Sequence, residues 1–150
     1  GKGFYMITTF LTLLYELSVS EGARTLASTA FAQSDSYIQS RRIRAVDAWL
    51  RKNFSREVKL GEAAAIANMS ETAFSRFFSL HTGKSFTDYL IDIRLGNAAR
   101  MLVDTNKTIS EICYECGYNN MSNFNRIFRR EKGCTPSEFR EMYHKKQVIA

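Results

Sequence analysis

At 150 residues, 45% apolar and 24% charged, the chain has the composition of an ordinary globular protein, which excludes a disordered or low-complexity polypeptide. One proline and eight glycines argue against a turn-rich sheet protein and leave room for long helices. The formal charge of +6 is unevenly spread. Residues 1–36 carry Lys2 and Arg24 against Glu16, Glu21 and Asp35, a net of −1, while residues 37–150 carry 19 Lys and Arg against 12 Asp and Glu, a net of +7. The later segment therefore suits a polyanionic partner, and nucleic acid is the commonest one.

The first element expected is a helix over roughly 4–20, where Ile7, Phe10, Leu11, Leu14 and Leu17 recur at helical spacing and Phe4, Met6 and Leu13 widen the stripe. A stripe that broad needs a partner surface. Ala30-Phe31-Ala32 imitates a signal-peptidase site. Thr8, Thr9 and Thr12 break the apolar run, however, and Glu16, Glu21 and Arg24 separate it from the supposed cleavage point, so a signal peptide is rejected. The run is also too short and too polar to span a bilayer. The chain opens on Gly1 rather than Met, which reads as a piece of a longer protein. Residues 21–36 are small and polar and read as a linker with room for a short helix. The organisation expected is an appendage over 1–36 and an all-α domain over 37–150.

From residue 37 onward the pattern is helix after helix. Ile43, Val46 and Leu50 mark one that ends near Phe54, and Leu60 to Ala67 is a short Ala-rich helix. Ser70 starts another, containing Phe74, Phe77 and Phe78, with Gly83 closing it. Ser85-Phe-Thr-Asp88 is a candidate capping box opening a long helix through Leu102, and Thr108-Ile-Ser-Glu111 is a second. Thr135-Pro-Ser-Glu138 is a third, with Pro136 at the first helical position, where its missing N–H costs nothing.

An internal repeat runs through these helices. Phe74, Arg76, Phe78 and Gly83 recur 50 residues later as Phe124, Arg126, Phe128 and Gly133. Upstream the offset is 49: Leu60 matches Ile109, Glu62 matches Glu111, and Ala64 matches Cys113. One extra residue therefore sits in the second turn, around Gly117-Tyr-Asn-Asn120. Each copy is a short helix, a tight turn and a longer helix with a basic face, which is the order of a helix-turn-helix.

In each longer helix the aromatic side packs inward and the other side is left for a partner. That side carries Thr72, Ser75, Arg76 and Ser79 in the first copy, and Ser122, Asn123, Asn125, Arg126 and Arg129 in the second. Arg can bind the guanine O6 and N7 edge with two bonds, Asn can pair with adenine, and Ser or Thr can serve either. The helix starts at Ser70 and Asn120 would point free N–H groups toward phosphate. Arg76 and Arg126 suit phosphate as well as base edges, because at least half of protein–DNA hydrogen bonds go to the backbone. Arg129 and Lys132 add further cations for backbone phosphate.

Residues 41–146 resemble the DNA-binding domain of the AraC/XylS family of transcription regulators. The resemblance is carried by Ile109-Ser-Glu-Ile-Cys-Tyr-Glu-Cys-Gly-Tyr-Asn-Asn-Met-Ser-Asn-Phe-Asn-Arg-Ile-Phe-Arg-Arg and by Gly133-Cys-Thr-Pro-Ser-Glu-Phe-Arg140. The first copy agrees through Met69-Ser, Phe74-Ser-Arg-Phe-Phe, Thr82-Gly-Lys-Ser-Phe and Tyr89-Leu, with Arg94-Leu in the connecting helix. The resemblance implies an all-α domain with two helix-turn-helix subdomains joined by a long central helix, placing two recognition helices in successive major grooves of double-stranded DNA. It puts Thr72, Ser75 and Arg76, with Ser122, Asn123 and Arg126, at base-facing positions, and Lys107, Thr108 and Thr135 near phosphate. It also implies a bacterial, cytoplasmic protein, RNA polymerase as a further partner, and a separate sensing domain. The segment over 4–20 resembles the last helix of such a domain, where a homodimer forms or the two domains meet. The first recognition helix departs from the family in its short base-facing side chains.

Other chemistries find less support. Cys113-Tyr-Glu-Cys116 is a Cys-x-x-Cys, but only Cys134, His81 and His144 remain as further ligands and none forms a second pair, so packing outweighs metal or redox work. Three cysteines suggest reduced thiols rather than a disulfide framework. Neither histidine lies in a nucleophile pattern, and no glycine-rich phosphate loop is present, so neither an enzyme nor a cofactor is expected. The rival reading is a helical protein-interaction module with a basic surface.

Overall fold

A computed structural model of the chain describes residues 2–19 and 21–149, with side chains over 6–15 and 28–148. Among the described residues all regular structure is helical: α1 (Lys2–Val19), α2 (Glu21–Asn53), α3 (Leu60–Ile66), α4 (Glu71–Thr82), α5 (Phe86–Asp104), α6 (Ile109–Glu115), α7 (Met121–Lys132) and α8 (Pro136–Ile149). The chain divides into two compact units, Gly1–Arg42 and Ile43–Ala150.

In the first unit the α1 stripe is open to solvent, from 47% exposure at Leu14 to 74% at Met6. Phe4 and Leu17, read into the same stripe, lie outside the described side chains. No helix among the described residues is long and apolar enough to cross a membrane. The stretch 21–36, expected to be a linker, is helical throughout. Ala23, Ala27, Ala30 and Ala32 give it strong intrinsic helix preference without an apolar stripe. Gln39 adds an i,i+4 bond, donating from Nε2 to Asp35 Oδ2 at 3.0 Å.

The second unit holds two hydrophobic cores. The first gathers Val46 and Leu50 from α2, Ala63 and Ala64 from α3, Phe74 and Phe78 from α4, and Phe86, Leu90 and Ile93 from α5. The second gathers Leu95, Ala98 and Leu102 from α5, Ile112 and Cys113 from α6, and Phe124, Ile127 and Phe128 from α7. From α8, Phe139 sets its ring edge against Phe128 at 5.6 Å. Each core belongs to one helix-turn-helix, and α5 serves both: Ile93 faces the first core, while Ile91 and Leu95 on either side of it pack against the second. Phe74, Phe78, Phe124 and Phe128 are fully buried, and burial of a phenylalanine contributes about 1.5–3 kcal/mol.

The helix ends follow from their capping residues. Ser70 Oγ accepts from Ala73 N–H and Ser85 Oγ from Asp88 N–H, at 3.3 and 3.1 Å. Thr108 and Glu111 form a complete capping box, as do Thr135 and Glu138. Ser85 and Asp88 make only the forward half of theirs. The first turn runs from the α3 cap Ala67 to the α4 cap Ser70, the second from Cys116 to Asn120. The second is one residue longer, which accounts for the change of repeat offset. Asn68 (φ 56°) and Gly117 (φ 90°) hold matching left-handed positions in the two turns.

Candidate nucleic-acid interface

On α4 the apolar positions and the polar ones are separated by the helical period. Phe74 and Phe78 pack at 5.4 Å between ring centroids, and Phe86 meets both edge-on at 5.7 Å. Thr72, Ser75, Arg76 and Ser79 are exposed. Thr72, Ser75 and Arg76 line, with Leu60 and Glu71, a shallow hollow of about 360 Å³. Glu71 puts a carboxylate in the first turn, where it complements the helix dipole but opposes an approaching phosphate.

The matching helix α7 carries more positive charge than α4. Phe124, Ile127 and Phe128 are buried, Ser122, Arg126 and Arg129 are exposed, and Asn123 and Asn125 are half-buried. Its first turn holds no acidic residue and its last turn holds Arg129, Arg130 and Lys132. Arg126 donates from Nη2 to Asn123 Oδ1 at 2.8 Å, so two expected base-reading groups meet on one face. Asn123 also borders a groove of about 650 Å³ whose other walls include Ser55 and Thr87 of the first subdomain.

A family model described as a helix-turn-helix domain matches residues 63–142. The transcriptional activator RhaS of Enterobacter sp. (strain 638) is 32% identical over 100 residues, which cover 67% of this chain and 36% of RhaS. The chain belongs to the AraC/XylS family of helix-turn-helix transcription regulators. RhaR of Mannheimia succiniciproducens is 25% identical over 121 residues, covering 81% of this chain and 44% of RhaR. The chain thus spans less than half the length of these two relatives. Among solved structures, the DNA-binding domain of AdpA in complex with a target DNA superposes with a TM-score of 0.66 at 28% identity, covering 70% of this chain and 95% of that one.

Most of the expected phosphate-facing groups of the AraC-type domain are held in caps or an ion pair. Ser70, Thr108 and Thr135 each use the hydroxyl oxygen to accept an N–H of the helix they start, which leaves the hydroxyl proton to donate. Asn120 Oδ1 accepts from Asn123 N–H at 3.0 Å and keeps its NH2 group as donor. Arg129 and Lys132 are exposed. Lys107 is engaged: its ammonium bridges both carboxylate oxygens of Glu115 at 2.9 and 2.7 Å, and that bond raises its pKa. The pairing joins a loop to α6 and leaves no periodic trace in the sequence.

Two groups escaped the sequence reading. Arg94, noted only as a family mark, donates to the carbonyls of Phe54 and Arg56. Tyr118 is 7% exposed, and its hydroxyl finds no hydrogen-bond partner among the described residues. Cys113 and Cys116 are fully buried, and burial pushes the Cys116 thiol up to about 11.

Proposed function

We propose that residues 37–150 read a bipartite double-stranded DNA site, with α4 entering one major-groove segment and α7 the next. The observation that carries this reading is the pair of helix-turn-helix cores sharing one continuous helix, α5. Base edges meet Thr72, Ser75 and Arg76 from α4, and Ser122, Asn123, Asn125 and Arg126 from α7. Backbone phosphates meet Ser70, Lys107, Thr108, Asn120, Arg129, Lys132 and Thr135. Sequence discrimination comes mainly from α7, because amide and guanidinium groups make two-pronged contacts and short hydroxyls make single, permissive ones.

In the longer regulator, residues 1–36 belong with an upstream sensing module, and the exposed α1 stripe takes part in self-association. The protein works in the cytoplasm and contacts RNA polymerase from its operator. The test is selection from a random duplex library followed by footprinting. A protected region covering two major-groove segments about one helical turn apart supports the proposal. Absence of duplex binding at low salt points instead to a protein-interaction module.

A further inference from the structure

Arg94 and Arg140 perform the same local task in the two subdomains. Arg140 on α8 donates from Nε to Leu102 O at 3.0 Å and from Nη2 to Thr105 O at 3.3 Å, tying α8 to the end of α5. Arg94 on α5 donates from Nε to Phe54 O and from Nη2 to Arg56 O, both at 2.9 Å, tying α5 to the chain that leaves α2. They differ in what stands on the far side. The Arg94 guanidinium lies 5.4 Å from the centroid of the Tyr118 ring, in the turn of the second helix-turn-helix. Carbonyl dipoles and a ring face thus hold a half-buried cation.

The neighbouring residue shows how tightly the subdomains meet here. A Cβ on Gly117 would stand 2.3 Å from Phe54 O and 3.0 Å from Arg94 Nε, and the φ of +90° disfavours a side chain independently. The second turn is thereby pressed against the loop between α2 and α3 of the first subdomain. The junction lies where α5 passes from one core to the other, with Gly96 two residues on. An interior glycine weakens a helix, so a bend there would carry α7 away from its alignment with α4.

We propose that Arg94 is a positioning residue that clamps the two helix-turn-helix subdomains in one relative orientation and so fixes the spacing of the two DNA segments the chain accepts. The second half rests on the bipartite DNA reading above; the clamp itself does not.

The test has two arms on the full chain. In the first, spin labels on native Cys134 and on Lys52→Cys report the distance between subdomains, Cys113 and Cys116 being buried. The unaltered clamp should give one narrow distribution. Arg94→Met should broaden or shift it, and Arg140→Met, which cuts two bonds of the same kind within one subdomain, should leave it narrow. In the second, a duplex selected by the unaltered chain is compared with one carrying a single base pair inserted between its halves. The insertion should cost the unaltered chain about tenfold or more in affinity and the Arg94→Met chain clearly less. Should Arg94→Met fail to fold, Gly117→Ala, whose methyl crowds both the Phe54 carbonyl and the Arg94 guanidinium and so parts the turn from the first subdomain, takes over both arms. A narrow distribution in the folded variant, or equal broadening by Arg140→Met, overturns the clamp. Unchanged distances with no duplex binding by the unaltered chain would count against both proposals. A broadened distribution with unaltered spacing preference would leave the clamp standing and remove its role in DNA spacing.

Discussion

Arg126 holds Asn123 by a 2.8 Å hydrogen bond from its Nη2 to the amide Oδ1. The two lie three residues apart on α7, where a helix places side chains side by side. With the amide oxygen accepting this bond, the Asn123 NH2 group remains as a donor. The Arg126 guanidinium loses one donor to this bond and keeps the others for an acceptor edge. The bond restrains two otherwise mobile side chains before DNA arrives.

The first prediction concerns this pair. Asn123→Ala and Arg126→Ala should each cost about 1–3 kcal/mol of binding and relax preference at particular base pairs. The double variant should cost less than the sum, because either single change already frees the other side chain. Thr72→Ala and Ser75→Ala should cost less and change preference little. Site selection on each variant measures this. Strict additivity, or base preference erased by the α4 changes alone, would reverse the roles assigned to the two helices.

A second prediction concerns α1. Leu11 and Leu14 are exposed members of an apolar stripe, and contiguous exposed apolar surface marks an interaction site. Changing both to Lys should lower the association state, or raise solubility if the chain clusters non-specifically, with intrinsic DNA affinity unchanged. Sedimentation and duplex titration read the two effects separately. Loss of DNA affinity at constant association would show that the stripe serves the DNA-binding unit instead.

Thiol chemistry gives a third. Cys113 and Cys116 are fully buried, and burial places Cys116 near 11, whereas Cys134 is partly exposed. The thiolate is the reactive form. Iodoacetamide at pH 7.5 should add a single adduct to the folded chain, at Cys134, and three after denaturation. Rapid modification of Cys116 in the folded chain would contradict its place in the second core.

The helices from residue 43 onward were legible because their signals are local: Phe74 and Phe78 share a face by period, and Thr108 with Glu111 or Thr135 with Glu138 announce a start within four residues. The stretch 21–36 reads as a linker with room for a short helix, and its full helicity is not legible for the opposite reason. Its alanines favour a helix without marking a face, and small polar residues favour turns equally well in a sequence. In the site, residue type alone singled out Asn123 and Arg126, and their spacing made them neighbours. The engagement of Lys107 with Glu115 depends on how the loop before α6 folds back along that helix, and that of Arg94 with carbonyls 40 and 38 residues away on how separate elements pack. No short window of sequence contains that information.

Alkaline stability provides a fourth prediction. Tyr89 donates to Asp47 Oδ1 at 2.5 Å, and burial together with that carboxylate pushes the phenol up to about 12 from 10.0. Folding therefore favours the neutral phenol. Its stabilisation is complete below pH 10 and is lost as pH rises through 12. Thermal unfolding temperature should fall across that window, and Tyr89→Phe should reduce the fall without abolishing it, since Tyr118 is also pushed up to about 12. Of seven tyrosines, the 295 nm titration should show a late-ionising group that shrinks in Tyr89→Phe. A single transition near pH 10 for all of them would refute the assignment.

The fifth prediction turns on Lys107 and its partner. Affinity for duplex should fall steeply with salt, because each phosphate neutralised releases condensed counterions, with a slope of about −0.9 per contact. Lys132 is exposed, so Lys132→Ala should weaken binding to all sequences alike and flatten the slope by about one contact. Lys107 starts from a different state. Its ammonium already bridges Glu115, so reaching phosphate means leaving a carboxylate that then stands unpaired beside the DNA. Lys107→Ala should therefore cost less than Lys132→Ala. Glu115→Gln should do the reverse of both: it frees the ammonium, removes a negative charge, raises affinity for every sequence, and steepens the salt slope. Gln keeps the shape and helix preference of Glu, so α6 should remain intact, and circular dichroism checks that. If Glu115→Gln instead weakens binding while the helix content holds, Glu115 is positioning Lys107 for its phosphate. If it changes nothing and Lys107→Ala is also silent, Lys107 stands away from the duplex and leaves the set of phosphate contacts.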